Sequence, residues 1–258
     1  MQETLQGEAA RMEDGETVFL WRDIFSDESY RLSDGTVLLS IRSHSWPWNT
    51  SVSGLRGFEG MSETAQQAVK SYFEEQGTLY DWDIQLSAAY ADYRQCLKEA
   101  KKPEASAFQS HPVWQEAFPT SETERFTAFC ISLMLPKDSH YDGTINERRF
   151  SLLFDRQTGE RIDAFSLFSV PEKEAAQALF ECCSGSDTNA PSRAEFIRLL
   201  RPEYICWYPD ALEIYFPPDL FSDFADGWVA YIPFSDLADI LRPWALPSME
   251  ELPASSPA

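Results

Sequence analysis

The sequence predicts an α+β fold: mainly antiparallel sheets with helices packed on one face, arranged as two closely packed lobes. Three observations point to it. Short runs of β-branched and aromatic residues follow one another along the chain. They are interrupted by helix pairs, without the regular strand–helix alternation of a parallel sheet. Hydrophobic residues make up 43% and aromatic residues 14% of 258 residues, enough apolar side chain to build a large core.

Taken in order, residues 1–16 are polar and acidic and read as a flexible tail. An N-terminal α+β lobe is expected over 17–120. Residues 17–21 and 35–41 are strand-like, with Ser33, Asp34 and Gly35 supplying turn chemistry, and two or three strands are expected before Ser45. From Ser62 the period changes: Ala65, Ala68, Val69, Tyr72 and Phe73 mark an amphipathic helix that Gly77 ends. A second helix begins near Asp81, turns Ile84, Tyr90, Tyr93 and Leu97 to one side, and stops at Lys101, Lys102 and Pro103. Residues 103–122, with three prolines, read as an irregular connection or short lid at the lobe boundary.

The C-terminal domain is expected over 121–246. Residues 125–135 are apolar on both faces and closed by Pro136, which predicts a central strand. A strand over 149–155, a turn through Gly159 and a return over 162–168 make a hairpin signal. Pro171 opens a helix to Cys183, Ser192 opens a shorter one that Pro202 ends, and strands follow over 204–208, 212–216 and 228–232. A short helix is expected over 235–241, and residues 247–258 read as a disordered tail.

Charge excludes some functions. Lys and Arg total 21 against 42 Asp and Glu, for a net charge of -21. Such a surface repels a phosphate backbone or an anionic leaflet, so neither nucleic acid nor membrane insertion is expected. No stretch reaches the ~20 apolar residues that span a bilayer, and the N-terminus lacks the basic-then-apolar pattern of an export signal. As written, the chain predicts a soluble, cytoplasmic protein. Five scattered cysteines suit reduced, mostly buried thiols better than a disulfide framework, and adjacent Cys182 and Cys183 lack the spacing of a metal or redox pair. The motifs G-x-S-x-G, G-x-G-x-x-G, the Walker loop and H-E-x-x-H are all missing.

The run Phe150, Asp155, Thr158, Gly159, Ile162, Phe165 and Phe168 is followed in order by Tyr208, Asp210, Ile214, Phe216 and Pro217, and then by Gly227, Ile232, Pro233, Ser235 and Leu237. This series resembles the C-terminal RsiV-like domain found in lysozyme-sensing anti-sigma factors and beside some peptidoglycan deacetylase domains. Where that family commonly has a Gly-Gly-Ala-His loop, the chain has His140, Tyr141, Asp142 and Gly143. The resemblance implies a ligand- or protein-binding role with no catalysis and no cofactor, a less closely matched companion N-terminal domain, and an exported or membrane-anchored alternative for location. The acidic charge suits a cationic protein or glycan partner.

Candidate ligand-binding residues are Trp46 and Trp48, as an aromatic platform or as packing; His140, Tyr141 and Asp142, as polar loop groups; and Tyr215 and Phe216, as a docking surface or as strand-end packing. Two alternatives stand beside the binding role. One is a hydrolase or deacetylase acting on cell-wall glycan or peptide through His140 and nearby carboxylates. The other is an intracellular interaction subunit.

Overall fold

The computed structural model describes residues 3–25, 27–42, 55–100, 107–184, 190–218, 220–221, 223–224 and 226–246. Trp46 and Trp48 lie outside the described residues, as do His44 and residues 247–258. Eleven strands and four α-helices are present among those described: β1 (Thr4–Arg11), β2 (Thr17–Arg22), β3 (Glu28–Leu32), β4 (Val37–Arg42), α1 (Glu63–Gln76), α2 (Trp82–Glu99), β5 (His111–Glu122), β6 (Phe126–Pro136), β7 (Ile145–Asp155), β8 (Arg161–Ile162), α3 (Glu172–Ser184), α4 (Arg193–Leu199), β9 (Ile205–Trp207), β10 (Ala211–Phe216) and β11 (Trp228–Pro233). Strands β1 to β8 form one sheet in chain order, and a second sheet has the order β11-β10-β9. The expected α+β class, with mainly antiparallel sheets, is the one observed. Strands β4 and β5 pair in parallel, Leu39 opposite His111. A parallel pair needs a long crossover, and α1 and α2 lie within it.

The chain divides into two compact units, one comprising residues 1–49, 76–116 and 132–148, the other 50–75, 117–131 and 149–258. This interleaved division differs from a single boundary near residue 120. The long strands β5, β6 and β7 each contribute residues to both units.

In the first unit, Val18, Tyr30, Leu38, Leu39, Ile41 and Val113 pack with Leu86, Ala89 and Tyr90 of α2. Asp81 caps α2, its carboxylate accepting from Asp83 N and Ile84 N. Residues 4–11 were expected in a tail but pair with β2 from Thr4↔Arg22 to Arg11↔Thr17. That strand is held by its backbone ladder, its side chains are mostly exposed, and its register shifts twice, so it carries no alternating apolar signal. The hairpin tip is tied down where the Asp14 carboxylate accepts from Tyr90 Oη at 2.7 Å and pairs with Arg94 at 3.1 Å.

Residues 111–122, expected as irregular, form β5 with alternating burial up to Ala117. Its inward positions include His111 and Gln115, polar residues that disguise the period. Each is paired: Gln115 accepts from Leu79 N and donates to Gly77 O, and His111 meets a carboxylate described below.

In the second unit, α1 buries Ala65, Val69 and Phe73, as its period predicts. Phe73 meets Phe129 and Phe154 at ring-centroid distances of 6.0 and 5.9 Å. The first eight residues of β6 are all buried, as expected for a central strand. A larger core joins α3, α4 and the β11-β10-β9 sheet around Phe196, Trp207, Leu212, Ile214, Phe216 and Trp228. The hairpin return is shorter than expected: β8 has two residues before a 3-10 turn over Ala164–Leu167, capped by Asp163. In place of a helix over 235–241 there is a 3-10 turn at Phe234–Asp236.

The turn between β7 and β8 is locked from both sides. Asp155 Oδ1 accepts from Gln157 N and Thr158 N, while Ser62, just before α1, donates from Oγ to Gln157 O at 2.6 Å and from N to Arg156 O. Gly159 has φ +75°, and an added Cβ would stand 2.7 Å from both Ala65 O and Ala68 Cβ. A side chain there is strained by backbone conformation and by contact with α1 together. Gly159→Ala is therefore expected to destabilise the protein by about 2 kcal/mol or more, read as a lower denaturant midpoint with unchanged slope. An unchanged midpoint would refute the close approach.

Candidate functional site

Helix α2 carries the unexpected feature. Its inner face was expected to be apolar, with Ile84 and Leu97 among the inward residues. Both are exposed, Ile84 at 62%, and the buried set is Leu86, Ala89, Tyr90, Asp92 and Cys96. Burying Asp92 removes a carboxylate from water, which is tolerated only if its acceptor positions are filled.

They are filled by four donors. Asp92 Oδ1 faces His140 Nδ1 at 2.8 Å and Cys96 Sγ at 3.7 Å. Asp92 Oδ2 faces His111 Nε2 at 3.0 Å and Tyr141 N at 3.2 Å. An ionised carboxylate only accepts, so both facing ring nitrogens carry protons. Two of the donors come from the β6–β7 loop. Asp92 is thus a hub that pins that loop to α2, while His111, from β5, braces the carboxylate from the buried side.

Electrostatics agree with the geometry. Burial alone would raise the Asp92 pKa, but the hydrogen bonds from His111, His140 and Tyr141 N outweigh it and hold the carboxyl below its ordinary value. The hydrogen bond to Asp92 raises the His140 pKa above its ordinary value, assisted by the charges of Asp92, Asp142 and Glu99. Burial and the adjacent Asp92 charge push the Cys96 thiol up, toward its protonated form. The three groups do not form a relay, which would need acid and nucleophile on different ring nitrogens. Both Asp92 and Cys96 approach His140 Nδ1.

The predicted loop residues are brought together here. His140 keeps 47% of its side chain exposed, Tyr141 binds through its backbone, and Asp142 Oδ1 accepts from Thr144 N at 2.9 Å to shape the turn. Asp92, Cys96 and His111 were missed. Asp92 and Cys96 stand one helical turn apart, but a lone Asp on a helix reads as surface, and no sequence spacing links it to residues 111 and 140.

Tyr215 and Phe216 do not form an exposed docking surface. Phe216 is fully buried, its ring 5.3 Å from Phe196 and 4.9 Å from Phe221. Tyr215 lies on the opposite face of β10, buried with the Arg149 guanidinium 5.3 Å from its ring centre. Arg149 also pairs with the fully buried Glu213 at 3.3 Å. Strand alternation accounts for both placements: Leu212, Ile214 and Phe216 point into the core, and Glu213 and Tyr215 point away from it.

The second unit also holds a recess of about 490 Å³ lined by Arg125, Arg161, Arg242, Asp155, Asp163 and Trp244, among others. Several of these groups already brace the chain. Arg125 lies 4.2 Å from the Trp244 ring centre, Arg242 Nε donates to Ser166 O, and Asp155 and Asp163 accept backbone N–H groups.

No family model matches the sequence, and no curated protein matches it. Among solved structures, the chain is similar to a DUF3298 family protein from Pseudomonas aeruginosa, with 13% identity and a TM-score of 0.42 over 96% of this chain and 94% of that one. It is also similar to a DUF3298 family member from Bacteroides fragilis, with 11% identity and a TM-score of 0.45 over 94% and 93%. Among the described residues, no helix is long and apolar enough to cross a membrane.

The hub has a defined pH window. His140, with its pKa raised by folding, contributes stability that is complete below its ordinary 6.5 and is lost as pH rises through the raised value. Asp92, with its pKa lowered, contributes stability present above its ordinary 3.8 and lost as pH falls through the lowered value. An NMR titration should place the His140 midpoint above the free-imidazole value, and Asp92→Asn should return it toward that value. A normal His140 midpoint in the parent protein would contradict the hub.

Proposed function

We propose that the chain is a binding protein of the RsiV-like kind, with the β6–β7 loop as its recognition element and a cationic protein or glycan as its partner. The strongest support is that this loop is pinned while half of the His140 side chain stays exposed. Asp92 accepts from the His140 ring and the Tyr141 backbone, so the loop's ordering cost is met before a partner arrives. The hydrogen bond and charge of Asp92, with smaller effects of Asp142 and Glu99, favour a protonated His140. The net charge of -21 adds a long-range attraction that speeds encounter with a positively charged surface.

The RsiV-like resemblance supports the same reading, since its motif series falls on coherent structural parts. Asp155, Thr158 and Gly159 form the β7–β8 turn, Ile214 and Phe216 belong to β10, and Ile232 and Pro233 close β11. The hydrolase or deacetylase reading gains less, because His140 presents one nitrogen to both Asp92 and Cys96.

Calorimetric titration with lysozyme and with cell-wall fragments tests the proposal. Binding heat is expected with a cationic partner, weakening as salt rises, and Asp142→Lys should reduce the association rate about tenfold at low salt. Absence of heat with every cationic protein and glycan tried, or binding insensitive to salt and to Asp142→Lys, would overturn it.

A further inference from the structure

The four donors around Asp92 fall into two chemically different pairs. The pair at Oδ2, a buried imidazole N–H and a peptide N–H, positions the carboxylate. The pair at Oδ1 consists of His140 Nδ1 and Cys96 Sγ, each of which becomes a metal ligand on losing its proton. We infer that Asp92 Oδ1, Cys96 Sγ and His140 Nδ1 form a three-ligand site for a zinc-type divalent transition metal, with water completing the coordination.

The three atoms lie within 4.8 Å of one another. Their separations are 2.8 Å (O to N), 3.7 Å (S to O) and 4.0 Å (S to N). Tetrahedral zinc with bonds of about 2.0–2.3 Å holds such ligands about 3.3–3.6 Å apart. The observed spacings bracket that range, and shifts of about half an ångström bring all three to bonding distance. His140 belongs to a loop and is half-exposed, so it can make this adjustment and offers the ion a path in. Asp92 and Cys96 are one turn apart on α2 and supply the rigid half of the site.

The charge balance is equally favourable. When a divalent ion binds, the His140 Nδ1 and Cys96 Sγ protons leave to solvent, and the ion, the Asp92 carboxylate and the Cys96 thiolate sum to zero around a neutral imidazole, which limits the desolvation cost. His111 Nε2 and Tyr141 N remain on Oδ2 and orient the ligating carboxylate, the role that outer hydrogen bonds play in protein metal sites. The mixed nitrogen, sulfur and oxygen donor set suits zinc or cobalt and is unlike the all-oxygen shell that magnesium or calcium prefers. This assignment does not rest on the partner-binding reading, because it is tested with metal ions alone.

The test uses the full chain, reduced and freed of metal with a chelator. Titration with Zn²⁺ should show one site with proton release, measured as a dependence of binding heat on the buffer's ionisation enthalpy. Co²⁺ should give a thiolate-to-metal charge-transfer band. Cys96→Ser should abolish that band, His140→Ala should weaken binding at least tenfold, and Cys182→Ser, which alters a thiol on α3, should leave both unchanged. His111→Ala should weaken affinity by about 10- to 100-fold through the outer hydrogen bond alone. Lack of Zn²⁺ binding at micromolar concentrations, or a Co²⁺ spectrum without the thiolate band, would overturn the site using the parent protein alone, whatever the variants do.

Discussion

A carboxylate withdrawn from water must have its charge answered locally, and in this protein that requirement organises the candidate site. Asp92 lies on the inner face of a helix whose neighbours are Leu86, Ala89 and Tyr90. The two imidazoles, one thiol and one peptide N–H that surround it come from α2, β5 and the β6–β7 loop. Removing any one leaves a buried acceptor short of a donor, which is why segments so distant in sequence are held to one point. The same logic recurs in the second unit, where the fully buried Glu213 is answered by Arg149.

Pinning by a buried hub has a conformational consequence. A loop tied at His140 and Tyr141 presents its remaining groups, Asp142 and the outer edge of the imidazole, in one arrangement, so little conformational freedom is left to lose on binding. Two of the hub's donors, His140 Nδ1 and Cys96 Sγ, are ionisable, so its hydrogen bonds depend on pH.

Much of the secondary structure was legible. The period of Ala65, Val69 and Phe73, the caps at Asp81 and Ser192, and the doubly apolar run of β6 all took the expected forms, because each is decided by residues close in sequence. The misreadings share a cause. Strand β1 is stabilised by backbone pairing that leaves no side-chain pattern. Strand β5 hides its alternation because His111 and Gln115 occupy inward positions that usually hold apolar residues. Helix α2 is rotated relative to the face expected from Ile84, Tyr90, Tyr93 and Leu97, because its buried set includes Asp92. A polar residue inside a core is invisible to periodicity unless its partner is known, and three of the four partners of Asp92 lie 19, 48 and 49 positions away.

The sequence by itself determined the α+β class, the principal helices and strands, and the acidic character. These follow from local propensity, short-range period and summed charge, none of which needs to know how the chain returns on itself. Tertiary structure alone decided that Asp92, Cys96 and His111 belong with His140, that Tyr215 and Phe216 are packed away, and that the compact units interleave along the chain. Those outcomes depend on long-range pairing, in which a group's role is set by the neighbour the fold brings to it.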